Sequence, residues 1–139
     1  MAYIGDLMDS CQISFDFSRA HAVVVSGATW NPCGHMLLNT GGYGGWYFHV
    51  AEIRGRPRYM GETGYKRYLS EHGKIELSRT YVPVPNSVAS QWRLEELLVD
   101  PWTWLILPNN CAHFVEEVLQ AGGSKAGLYS NCPSKEVFR

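Results

Sequence analysis

No uninterrupted apolar run in this sequence approaches the roughly 20 residues that a helix needs to cross a bilayer, so stable membrane insertion is not expected. Neither charge sign is in excess: Lys and Arg total 12, Asp and Glu total 13, and the formal net charge is -1. Such a balance offers no electrostatic footprint for nucleic acid or an anionic membrane surface. The opening residues through Cys11 hold Asp6 and Asp9 but no basic head leading into an apolar stretch, which is unlike a secretory signal. The expectation is a chain made and folded in a cytoplasm.

Cysteine is sparse and unpatterned. Cys11, Cys33, Cys111 and Cys132 form no CxxC pair and no zinc-ribbon spacing, which argues against a structural metal; no metal or other cofactor is expected. An even count permits disulfides in an oxidising compartment; the missing signal weighs against pairing, and the sequence does not show whether the cysteines pair. Repeats, low-complexity tracts and linkers are also missing. At 139 residues, the chain suits a single domain, 1–139, with one core.

Aromatic residues are plentiful, with five Trp, eight Tyr and five Phe. Most serve the core, and the remainder can line grooves for flat or extended ligands. Residues 13–17 alternate weakly and 20–26 form a short β-branched run, so both read as strands or extended edges. Residues 34–38 carry a strand signal. The loop 39–45 holds four glycines in seven residues, suited to a tight reversal, and 46–53 reads as the returning strand of a hairpin.

Further along, 64–72 has helical composition with Gly73 as its stop, and 75–82 alternates as a strand before Pro83 and Pro85. With Asn86 or Ser87 as N-cap, 88–99 reads as a helix whose core contacts are Trp92, Leu94, Leu97 and Leu98. Residues 102–107 are apolar and of undefined type. The clearest helix runs from Asn110, its N-cap, to the stop at Gly122-Gly123. The tail 124–139 is polar and irregular, packed on the domain. The class is α+β, with a small antiparallel sheet packed against helices.

On that last helix, Phe114, Val115, Val118 and Leu119 follow Cys111 at the spacing of one face, so Cys111 points inward while His113, Glu116, Glu117 and Gln120 fall mostly on the solvent side. A cysteine in the first turn of a helix meets unsatisfied N–H groups and the positive end of the macrodipole, both favouring thiolate. The same N–H groups can receive the oxyanion of a tetrahedral intermediate. The hairpin carries His35 on one strand and His49 on the other, and a register symmetric about Gly42 sets them opposite each other on one face. One ring can then act as base while the other fixes its tautomer. A one-residue slip would separate them. His21, His72 and His113 lack a local partner and read as structural.

The string Asn110-Cys111-Ala112-His113-Phe114-Val115 closely resembles the nucleophile helix of the lecithin:retinol acyltransferase group, and the His35–His49 hairpin resembles that group's paired-histidine strands. The group belongs to the circularly permuted branch of the NlpC-type papain-like hydrolases, in which the base-bearing strands precede the cysteine helix. The resemblance covers about 34–53 and 110–123. It implies a papain-like permuted fold with Cys111 as nucleophile, His35 as general base and His49 as polar third member. The glycine-rich loop is longer than in the acyltransferases and the chain lacks their hydrophobic tail, which makes a lipid substrate less expected.

The function expected is therefore a cysteine amidase or endopeptidase acting through a thioester, with the peptide of bacterial peptidoglycan as substrate. The resemblance extends to cell-wall amidase toxins delivered as antibacterial effectors, and to phage lysis enzymes. It implies action in the periplasm of a target cell and a cognate immunity or inhibitor protein. Trp30, Tyr43, Trp46 and Tyr47 are candidate substrate-binding residues, with core packing as the alternative. Two further readings stay open: a lipid acyltransferase, phospholipase or thioesterase using the same site, and a metal-binding or purely binding module built on Cys33, His35, His49 and Cys111.

Overall fold

Apolar residues alternating along the first half of the chain build one sheet with two buried faces. The computed structural model describes residues 2–8, 15–27, 32–42, 44–51, 56–99, 110–128 and 132–139. Strands β1 (Asp16–Val25), β2 (His35–Gly41), β3 (Trp46–His49), β4 (Arg58–Gly61) and β5 (Glu76–Tyr81) are ordered β4-β3-β2-β1-β5, every pair antiparallel. Helices α1 (Glu62–His72), α2 (Ser87–Val99) and α3 (Asn110–Ala121) complete an α+β architecture.

Successive side chains of a strand point to opposite faces, and here each face meets helices. Ala22, Val24, Met36, Leu38 and Phe48 pack with Leu94, Leu97 and Leu98 of α2 and with Phe114, Val115, Val118 and Leu119 of α3. Val23, Val25, Leu37 and Tyr47 pack instead with Met60 and with Tyr65 and Tyr68 of α1. Burying both faces of β2 explains its apolar run from Met36 to Leu38.

Several sequence expectations are corrected. The extended pieces at 13–17 and 20–26 give way to one ten-residue strand, β1, with Phe15 ahead of it and residues 13 and 14 outside the described part. β2 runs on to Gly41, and β3 ends at His49 rather than 53. Strand β4 was not expected: Arg-Tyr-Met-Gly lacks an apolar alternation, and pairing with β3 from Trp46↔Gly61 to His49↔Arg58 supplies its structure. Trp92 is 65% exposed and leaves the core set, because two residues before Leu94 lies the far side of the helix.

Other boundaries agree. Asn86 caps α2, its Oδ1 accepting the Ala89 N–H at 3.1 Å. Gly73 ends α1 at φ 62°, the left-handed conformation that favours glycine. Residues 102–107 and the side chain of Asn110 lie outside the described part. The tail is anchored by buried Phe138 and by the hydrogen bonds between the Gly127 and Arg139 backbones.

Candidate functional site

The hairpin's register is Leu38↔Phe48, Asn39↔Tyr47 and Thr40↔Trp46. The reversal is thus centred one residue beyond Gly42, with the Gly45 N–H bonding the Gly42 carbonyl at 2.9 Å. Extended along the strands, this places His49 opposite Leu37, so His35 and His49 are diagonal neighbours rather than directly opposed. A two-residue offset keeps both on one face, and ring side chains span such a diagonal. Their Nε2 and Nδ1 atoms are 2.8 Å apart, with ring centroids at 5.1 Å and planes at 72°.

The next hydrogen bond fixes where the protons are. His49 Nε2 lies 2.7 Å from the Ile4 carbonyl, which can only accept, so this nitrogen carries a proton. A neutral His49 then offers a bare Nδ1, and His35 must donate to it from Nε2. His35 Nδ1 is left unprotonated, the condition for a base. The order is His35 Nε2–H to His49 Nδ1 and His49 Nε2–H to the Ile4 carbonyl.

Neutrality of the pair follows from burial. His49 is 1% exposed, and its pKa falls from the usual 6.5 to about 4, chiefly through burial and against the bond to Ile4. Burial likewise holds His35 well below its ordinary value, with His49, Lys74 and His72 adding in the same direction. Tyr68 of α1 sets its ring edge against His49, centroids 5.1 Å apart, and helps exclude water from it.

Cys111 enters from the helix side. Its Sγ accepts the Met36 N–H at 3.4 Å, which brings the sulfur to the strand backbone one residue from His35. Met36 faces α3 while His35 faces α1, so at the start of β2 the cysteine and the imidazole lie on opposite faces of the sheet, and no hydrogen bond joins them among the described residues. The β2–β3 ladder covers only Leu38 to Thr40, so that end of β2 is paired on its β1 side alone. As read from the sequence, Phe114, Val115, Val118 and Leu119 share the buried face with Cys111, and His113, Glu117 and Gln120 are exposed.

One electrostatic expectation is overturned. Cys111 is 5% exposed, and burial pushes its thiol above the ordinary value, although the backbone amides of Met36, Ala112 and Cys111 and the Lys74 ammonium pull it back. Desolvation outweighs the helix start, so the sulfur rests as a thiol and not as half of a preformed ion pair.

Cys33 and Cys132 form a disulfide, a pairing that the sequence leaves open. This removes Cys33 from the metal-ligand set, and among the described residues no group of three or more His, Cys, Asp or Glu is arranged to hold a metal. Of the aromatic candidates, Trp30 and Tyr43 lie outside the described residues. Tyr47 is 1% exposed, stacked on Tyr65 at 3.9 Å, with its hydroxyl donating to Glu62 and accepting from Arg79, an environment that fits the core-packing alternative. Trp46 is partly buried against the core beside Tyr59.

Sequence reasoning missed the Ile4 carbonyl, Tyr68 and Lys74. A backbone carbonyl carries no residue signature. Lys74, half-buried, donates to the Ser26 carbonyl at 2.8 Å, a contact 48 residues away in sequence that no local pattern encodes. Compared with protein-family models, curated proteins and solved structures, the chain matches none of them.

Proposed function

We propose that this protein is a cysteine amidase or endopeptidase of the permuted NlpC-type papain-like class, cleaving the peptide part of bacterial peptidoglycan. The observation that carries the proposal is the chain of hydrogen bonds from the Ile4 carbonyl through His49 to His35, which leaves a bare imidazole nitrogen on the residue next to the amide that binds Cys111 Sγ.

In the proposed cycle His35 Nδ1 takes the thiol proton as Cys111 Sγ adds to the amide carbonyl carbon. N–H groups at the start of α3 receive the oxyanion. The C–N bond breaks, the amine leaves with the proton from His35, and a thioester remains; water, deprotonated by His35, then releases the acid and restores the thiol. His49 orients the base and stabilises its charged form. Delivery to a target periplasm and neutralisation by an immunity protein belong to the same proposal, and the disulfide suits an oxidising destination.

Burial of Cys111 favours a second reading, in which the cysteine only packs and the protein is a binding module. Incubation with purified cell-wall sacculi separates the two. The amidase reading expects new free amines with wild-type protein and none with Cys111→Ala. Fatty acid released from lipid vesicles, in place of amines, would transfer the site to acyl-lipid chemistry, and no release from either substrate would favour the binding module.

A further inference from the structure

The Cys33–Cys132 bond joins positions 99 residues apart and lies two residues before the proposed base. Cys33, Gly34 and His35 are consecutive, and β2 begins at His35. Around this point the C-terminal tail is clamped to the strand: the Ser134 N–H donates to the Cys33 carbonyl at 2.9 Å, and the Ser134 hydroxyl donates to the Pro32 carbonyl at 2.9 Å. Gly34 sits at φ +78°, where a Cβ would come within 2.7 Å of the Val25 carbonyl and 3.6 Å of Ser134 Cβ. The positive φ and the closeness of the β1 backbone require glycine there, with the tail in ordinary contact beside it.

The sheet holds the same point weakly. Val25↔His35 is the last pairing on the β1 side, and on the β3 side the ladder stops at Leu38. Strand ends with few cross-strand bonds open first. The disulfide and the two Ser134 bonds therefore add to the Val25↔His35 pairing in fixing the direction in which the chain enters His35.

From this geometry we infer that the Cys33–Cys132 disulfide is a redox device controlling assembly of the His35–His49 pair, so that the site forms in an oxidising compartment and is loosened in a reducing one. The inference concerns regulation of the site under Proposed function and rests on that reading. Oxidation proceeds by thiol–disulfide exchange. One thiolate of the pair attacks a small disulfide such as oxidised glutathione and releases one thiol. The second thiolate then displaces the other glutathione, giving the intramolecular bond and two reduced thiols overall. Cys111, a buried free thiol, is not consumed.

The test compares the intact chain before and after reduction by a dithiol that is then removed under anaerobic conditions. One readout is the downfield, exchange-protected proton resonance of the His35 Nε2–H···Nδ1 His49 bond. The second is amine release from sacculi, and the third is far-ultraviolet circular dichroism. The expected result is loss of the resonance and at least a tenfold fall in amine release with helical signal retained, both recovering on reoxidation by glutathione disulfide. The Cys33→Ser/Cys132→Ser double variant should match the reduced protein and ignore reductant. A resonance that survives reduction with amine release within twofold overturns the inference, as does loss only where the circular dichroism collapses. A resonance lost on reduction in a protein that never releases amines retains the redox device and removes the amidase reading.

Discussion

The neutral, buried His49 makes a quantitative prediction about acid. An unfolded ring takes up a proton near pH 6.5, whereas the folded one resists until about 4. Between these values the unfolded chain binds more protons, so stability present above pH 6.5 is lost as pH falls toward 4. For one site with those two pKa values the loss is about 2 kcal/mol by pH 5 and about 3 kcal/mol by pH 4. His35, shifted the same way, adds to it. The lowered carboxylates Asp16, Glu71 and Glu76 act mainly below about pH 4.5, so the interval from 6.5 to 5 isolates the histidines. Urea unfolding at pH 7, 6 and 5 measures the effect, and His49→Phe should flatten it by about 2 kcal/mol while lowering stability at every pH. An unchanged slope in that variant, or a His49 ring that titrates near 6.5, would refute the tautomer chain.

Three other perturbations probe the frame of the site. Gly122→Ala would place a Cβ 2.1 Å from Ser90 Oγ, 2.5 Å from Val84 Cγ1 and 2.8 Å from the Asn86 carbonyl, and should cost about 1–3 kcal/mol or more by thermal or urea unfolding. Phe114→Ala, at a fully buried position shared by α3 and the sheet, should cost about 3–5 kcal/mol, read as a lower urea midpoint with an unchanged slope. Gly34→Ala forces a side chain against the Val25 carbonyl at positive φ; it should reduce amine release at least tenfold and raise the His49 pKa toward 6.5 by NMR titration, with Gly44→Ala, at a turn position open on all sides, losing far less.

The cysteine helix was legible because its pattern is local. Phe114, Val115, Val118 and Leu119 announce a buried face, Gly122-Gly123 a stop, and all four side chains are buried as expected. The histidine pairing was legible in kind but not in register: a glycine-rich loop signals reversal without saying which residue is central, and β-periodicity preserved the shared face despite a two-residue error. Strand β4 and the exposure of Trp92 were hidden because both depend on what packs against them. The disulfide was hidden for a related reason, since Cys33 and Cys132 meet through the fold across 99 residues. The sign of the Cys111 shift was misjudged because helix-start amides are visible in sequence and desolvation is not.

Acyl capture asks directly whether the Cys111 sulfur is a nucleophile served by His35. Wild-type protein is mixed at neutral pH with the p-nitrophenyl ester of an acylated dipeptide, quenched in acid and mapped by mass spectrometry. The account predicts one acyl group, on the peptide containing Cys111, released on standing and formed at least a hundredfold more slowly by His35→Ala. An adduct spread over other residues, or one on Cys111 that His35→Ala leaves unchanged, would contradict it.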